Sequence, residues 1–181
     1  VTPFKIRISI ITILLLFVGE IYAQQAPDFR SVRWGYRPKQ VKESETVKPY
    51  STKKDKLIYS QLPLADRKVG LEYDFNGDSL HSASYFYYST ASITKDDVLA
   101  AATDFESLLT EKYGRGKASF LGDTRNVAWL TPRTQISLSV GNVDRGWSVE
   151  IVYLCRVCSG EVVKAVQGRN AYKPLKDIKD F

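Results

Sequence analysis

The stretch from Val69 to Tyr88 constrains the chain most. Val69, Leu71, Tyr73 and Phe75 alternate with Gly70, Glu72 and Asp74, a period of two that gives a strand one apolar and one wet face. Asn76-Gly77 follows and supplies the left-handed backbone of a tight two-residue hairpin. The return strand runs from about Leu80 to Tyr88, where Tyr85, Phe86, Tyr87 and Tyr88 put aromatics on both faces. A lone hairpin is marginal in water. The rest of the chain must therefore add strands and a layer that covers the apolar face.

The covering layer is clearest after Ile93. Thr94 can cap a helix with Asp97 three residues on, and Val98, Ala101, Ala102, Phe105, Leu108 and Leu109 fall on one helical stripe. Gly114 stops it after Tyr113. An earlier helix opens at Pro38 and runs to about Glu45, with a thin apolar face. Further strands are expected at Leu57 to Leu62, Val127 to Thr131, Gln135 to Val140 and Trp147 to Leu154, the last two joined by a loop from Gly141 to Gly146. Trp34, Trp129 and Trp147 fit the core or its rim. The expected fold class is α+β: two helix-plus-three-strand units, an antiparallel sheet with helices packed on one face. Residues 29–158 form a single domain in this reading, with halves of about 29–90 and 91–158, preceded by a short segment 24–28 and followed by a tail at 159–181.

Residues 1–23 read as a leader. Lys5 and Arg7 precede an apolar run from Ile8 to Val18, and Ile21-Tyr22-Ala23 offers a small residue at a cleavage position. The run would be roughly 16 Å long as a helix, short of a hydrocarbon core of about 30 Å. The expectation is a signal peptide cut near Ala23 and a mature protein in the periplasm or outside the cell. Gln24 and Gln25 follow Ala23, so the Cys that lipid anchoring requires is missing there. No later stretch is long and apolar enough to span a bilayer.

The formal charge is +6 over 181 residues, and the excess is uneven. From Arg30 to Lys56 the chain carries Arg30, Arg33, Arg37, Lys39, Lys42, Lys48, Lys53, Lys54 and Lys56 against Glu43, Glu45 and Asp55. Such a segment either keeps a surface solvated or makes weak contact with an anionic surface. Export argues against nucleic acid, and neither zinc-finger spacing nor the basic aromatic motif of an RNA-binding sheet is present.

Catalytic and metal-binding patterns are scarce. His81 is the single histidine; a hydrolytic triad could draw on it, but no nucleophile-elbow motif accompanies it. One His and two Cys make no recognised metal set, and no glycine-rich loop follows a strand and opens a helix. No cofactor is expected. Cys155-Arg156-Val157-Cys158 ends a strand, where a redox pair would need a helix amino end. In an oxidising compartment a structural disulfide is the reading preferred, with thiol-redox chemistry and two free thiols as alternatives. Residues three apart in a continuing strand lie about 10 Å apart on opposite faces, so pairing requires the chain to turn by Arg156.

Aromatic residues make up 12% of the chain. Tyr85, Tyr87 and Tyr88 on a half-exposed sheet would form a recognition face for an envelope protein or glycan; core packing is the competing explanation. The functional expectation is an exported, non-catalytic binding protein. A small-molecule or lipid carrier with a pocket between helices and sheet is the alternative, and a hydrolytic or thiol-redox enzyme a further one.

Phe29-Arg30-x-x-x-Trp34-Gly35, with Val41-Lys42 downstream, resembles the FRxxxWG opening of a group of small exported bacterial proteins of unknown function. Lys112-Tyr113-Gly114, Trp129 and Thr134-x-Ile136-x-Leu138 are similar to the helix exit and closing strands of that group. Tyr36, Arg37 and Gln40 depart from its Met, Ser and Glu, and loss of the Ser cap implies a first helix that is frayed or starts differently. The repeated order of helix and strands also resembles, in topology alone, the tandem architecture of the beta-lactamase inhibitor protein and the small outer-membrane assembly lipoprotein.

Overall fold

The computed structural model describes residues 26–143 and 146–158; the leader expected at 1–23 and the tail at 159–181 lie outside the described residues. Helix α1 (Pro38–Ser44) precedes strands β1 (Ser51–Thr52), β2 (Lys56–Leu64), β3 (Arg67–Asn76) and β4 (Ser79–Tyr88). Helix α2 (Lys95–Tyr113) precedes β5 (Lys117–Leu121), β6 (Thr124–Leu130), β7 (Thr134–Val143) and β8 (Gly146–Cys155). All eight strands form one antiparallel sheet in the order β1-β2-β3-β4-β8-β7-β6-β5. The class is therefore α+β with an antiparallel sheet.

The units are not helix plus three strands, since each helix is followed by four. The two-residue β1 and the five-residue β5 form the opposite edges. In β5, Lys117, Ala118, Phe120 and Leu121 are all exposed, so the strand has no buried face whose alternation could announce it. Its remaining signal is Gly122-Asp123, a hairpin dipeptide, with Gly122 at φ +57°. The expected loop from Gly141 to Gly146 is also largely strand: Asn142 faces Trp147 and Val143 faces Gly146 in the ladder.

Alternation sorts the sheet into two faces. On the inner face, Leu71, Tyr85, Ile151, Leu138 and Val127 form one cross-strand row, and Tyr73, Ala83, Tyr153, Ile136 and Trp129 form the next. Every member is buried. Helix α2 lies against β8, β7 and β4 and buries Val98, Ala101, Ala102, Phe105 and Leu109. Its amino end is held by a reciprocal pair: Asp97 N–H donates to Thr94 Oγ1 at 3.2 Å and Thr94 N–H donates to Asp97 Oδ2 at 2.7 Å. Gly114, at φ +81°, ends the helix.

The first half has less helix to offer. Helix α1 buries Val41. Arg37 supplies no cap, yet the helix forms, because Pro38 occupies its first turn and Gln40 Oε1 accepts from the Arg37 N–H at 2.9 Å. The remaining inner surface is covered by the segment before it. Phe29 places its ring against Tyr73, Tyr85 and Tyr153, with centroids 5.7, 5.3 and 4.5 Å away. Trp34 Nε1 donates to Thr134 Oγ1 at 2.9 Å, and Asp28 accepts from Arg133 Nε at 2.6 Å and from the Trp34 N–H at 3.0 Å. The segment thus straps the first half to β7.

At the end of β8 the chain turns. Arg156 N–H donates to Arg133 O at 2.9 Å, and Cys155 and Cys158 are joined by a disulfide with Cα atoms 5.7 Å apart. Among the described residues no helix is long and apolar enough to cross a membrane.

Candidate functional site

Inner-face packing leaves a gap beside α2. A half-open cavity of about 220 Å³ lies where the two halves meet. Phe105, Leu108, Leu109, Lys112 and Tyr113 line it from α2, at the spacing of one helical stripe. Tyr85 of β4 with Ile151 and Tyr153 of β8 form its floor; Phe29, Arg30 and Leu64 close the side of the first half. The gap has a cause in the sequence: α2 is 19 residues long and α1 only seven, so beyond the edge of α2 the cover is irregular chain. Leu108 is 45% exposed at the opening.

Arg30 sets the electrostatics of that side. It adopts a left-handed backbone, φ +48°, and donates through Nε and Nη2 to the two carboxylate oxygens of Glu45, each at 2.9 Å. Its Nη1 donates to the Tyr85 hydroxyl at 2.9 Å. The Glu45 side chain is only 2% exposed and accepts a further short hydrogen bond from the Tyr73 hydroxyl. Burial disfavours the Arg30 charge, but the bonds to Glu45 and Tyr85 outweigh it and hold the guanidinium charged beyond its ordinary range. Tyr59, buried nearby, is pushed up to about 12, first by burial and then by the Glu45 charge.

The tyrosines of the floor stay protonated. Burial raises Tyr85 against the opposing pull of Arg30, and burial, then Tyr113 and Tyr85, raises Tyr153 far above the ordinary phenol value. Tyr153 is 8% exposed and lines the cavity. Lys112 stands over the Tyr113 ring, 5.1 Å from its centroid.

The expected face of Tyr85, Tyr87 and Tyr88 is not formed. Alternation sends Tyr85 and Tyr87 inward and Tyr88 outward, and Tyr85 is 6% exposed, packed against Phe29 and bonded to Arg30. Tyr87 is half-buried; Tyr88 is exposed and stacks on Phe86, ring centroids 6.2 Å apart. The Phe86 ring lies over Gly70, where an added Cβ would come within 2.1 Å of it. His81 is buried beside the bulge in the β3–β4 pairing. The basic segment is not one free patch either: Arg30 is tied to Glu45, and Lys56 reaches Glu72 and, at 3.0 Å, Asp74. Among the described residues no group of three or more His, Cys, Asp or Glu side chains is placed to hold a metal ion.

Sequence reasoning missed Arg30, Lys112, Tyr113 and Tyr153 as site residues. One signal was present: Lys112 continues the stripe of Phe105, Leu108 and Leu109, a cation where another apolar side chain would extend the core. Comparison with protein-family models, with curated proteins and with solved structures gave no match.

Proposed function

We propose that this is an exported, non-catalytic binding protein of the bacterial envelope or its surroundings, and that the cavity between α2 and strands β4 and β8 is its capture site. The observation that carries the reading is the half-open cavity itself, apolar in most of its lining and bounded by Arg30 and Lys112. At about 220 Å³ it is smaller than the roughly 300–1,000 Å³ of drug-sized ligand pockets. The occupant is correspondingly small. The leader-like residues 1–23 support export, and the Cys155–Cys158 disulfide is the state of these thiols that an oxidising compartment favours.

Titration of the full-length chain with toluene, followed by NMR, tests the site. Saturable shifts at Phe105, Ile151 and Tyr153, lost in Leu108→Trp, are expected. No shift at those residues in the folded parent would remove the reading.

A second reading has its own observation. The stacked Phe86 and Tyr88 rings form a flat aromatic shelf on the outer face, a shape suited to a sugar ring or a partner's side chain. Tyr88→Ser would abolish capture of such a partner without altering the melting temperature.

A further inference from the structure

A capture site at the cavity leaves the class of ligand open, and the polar groups around it narrow that class; the ligand assignment rests on the binding reading of the cavity. Space comes first. The cavity has the room of about seven water molecules at about 30 Å³ each, which fits an occupant of roughly seven to ten non-hydrogen atoms. Phe29, Leu64, Phe105, Leu108, Leu109 and Ile151 give that occupant an apolar body.

Polarity is concentrated in one corner. Arg30 bonds directly to Tyr85, and Tyr85 and Tyr113 both lie close enough to act on Tyr153 electrostatically. Tyr153 brings a hydroxyl to this corner. More than nine-tenths of the residue is buried, and it lines the cavity. The phenol is protonated at any ordinary pH, so it presents a donor.

Charge then selects the acceptor. Arg30 is already offset by the bidentate Glu45 carboxylate, using three of its five N–H donors on Glu45 and Tyr85. Lys112 is in no salt bridge among the described residues and contributes one positive charge that nothing in the lining balances. The surplus is a single unit. We propose that the cavity takes a monocarboxylate with a short unbranched or single-ring apolar body, its carboxylate accepting from the Tyr153 hydroxyl within the positive potential of Lys112 and Arg30.

The test compares octanoate with octan-1-ol on the full-length chain by calorimetry, with NMR to locate each. Octanoate is expected to bind at least about tenfold more tightly than octan-1-ol, the size of one charge-assisted hydrogen bond. Lys112→Gln, a change at an exposed position, should weaken octanoate by about fivefold or more and leave octan-1-ol unchanged, and Tyr153→Phe should weaken octanoate by about fivefold or more and octan-1-ol by less. Equal affinity for acid and alcohol, or octanoate binding untouched by both substitutions, would overturn the carboxylate assignment while leaving the cavity as a binding site. Toluene binding without either eight-carbon probe would do the same. If toluene also fails, the underlying reading falls with it. Octanoate retained by Leu108→Trp would place the acid elsewhere on the protein and equally refute the proposal.

Discussion

Helix α2 brings Val98, Ala101, Ala102, Phe105 and Leu109 onto the sheet, whereas α1 brings Val41, and the two halves cover their inner faces by different means. In the second half the cover is a helix whose backbone is satisfied internally, so it needs only apolar side chains to dock. In the first half it is largely irregular chain, whose polar groups must find partners elsewhere. They find them through Asp28 with Arg133, Trp34 with Thr134, and the Arg30–Glu45 pair with Tyr73 and Tyr85. The half with less helix thus depends on a buried polar network, and the half with more depends on volume. The cavity lies where one kind of cover gives way to the other.

Substitutions can break this contrast. Phe105→Ala should cost about 4 kcal/mol and Val41→Ala about half of that in urea unfolding; equal costs would mean that α1 contributes as much cover as α2. Glu45→Ala should cost about 3 kcal/mol, because it strands the Arg30 charge and the Tyr73 hydroxyl in the interior. Its counterpart in the second half, Glu106→Ala, removes a half-exposed pair with Arg125 and should cost less than about 1 kcal/mol. Similar losses would show that the first half is no more dependent on its polar network than the second.

A smaller effect sharpens the comparison at the junction. Glu150 of β8 lies on the outer face across from Phe86 and within reach of Glu72 and Asp74 of the first half. Burial chiefly, and those two carboxylates against a hydrogen bond from Ser84, raise it above its ordinary 4.5. The folded state therefore holds this proton after the unfolded chain has released it, and stability falls as pH rises from about 4.5 through the raised value. Glu150→Gln should flatten that part of the pH profile and make the protein more stable than its parent near pH 7, as thermal unfolding across pH would report. The smallest change expected is at the β2–β3 turn, where Ala65 and Asp66 both have positive φ, +48° and +61°. Ala65→Gly should stabilise by about 0.5 kcal/mol; a loss would mean that the Ala65 methyl, which packs against the core, matters more than its backbone strain.

Elements with one wet and one buried face were legible in the sequence. The alternation of β3, the stripe of α2 and the Asn76-Gly77 turn all reach the structure within a residue or two. Edge strand β5 was not, because nothing covers either of its faces. Tyr85 misled for a related reason: a run of four aromatics masks which members point inward, and the answer depends on Phe29, far earlier in the chain, filling the space above it. The Arg30–Glu45 pair joins residues 15 apart across a turn and a helix, a separation with no periodic signature. Lys112 was visible as a break in a stripe but had no meaning until the sheet beneath it was known.

The order of strands carries a consequence for how the chain reaches this state. Each group of four strands is a meander of neighbours in sequence, and within the sheet only the pairing of β4 with β8 joins them, bringing together residues as distant as Ser82 and Leu154. Hairpins close in microseconds, whereas distant pairings must first bear the entropy of a long loop. Closure of β4 on β8 is then the slow event. Weakening substitutions on those two strands should retard folding, while those in the outer hairpins should mainly hasten unfolding.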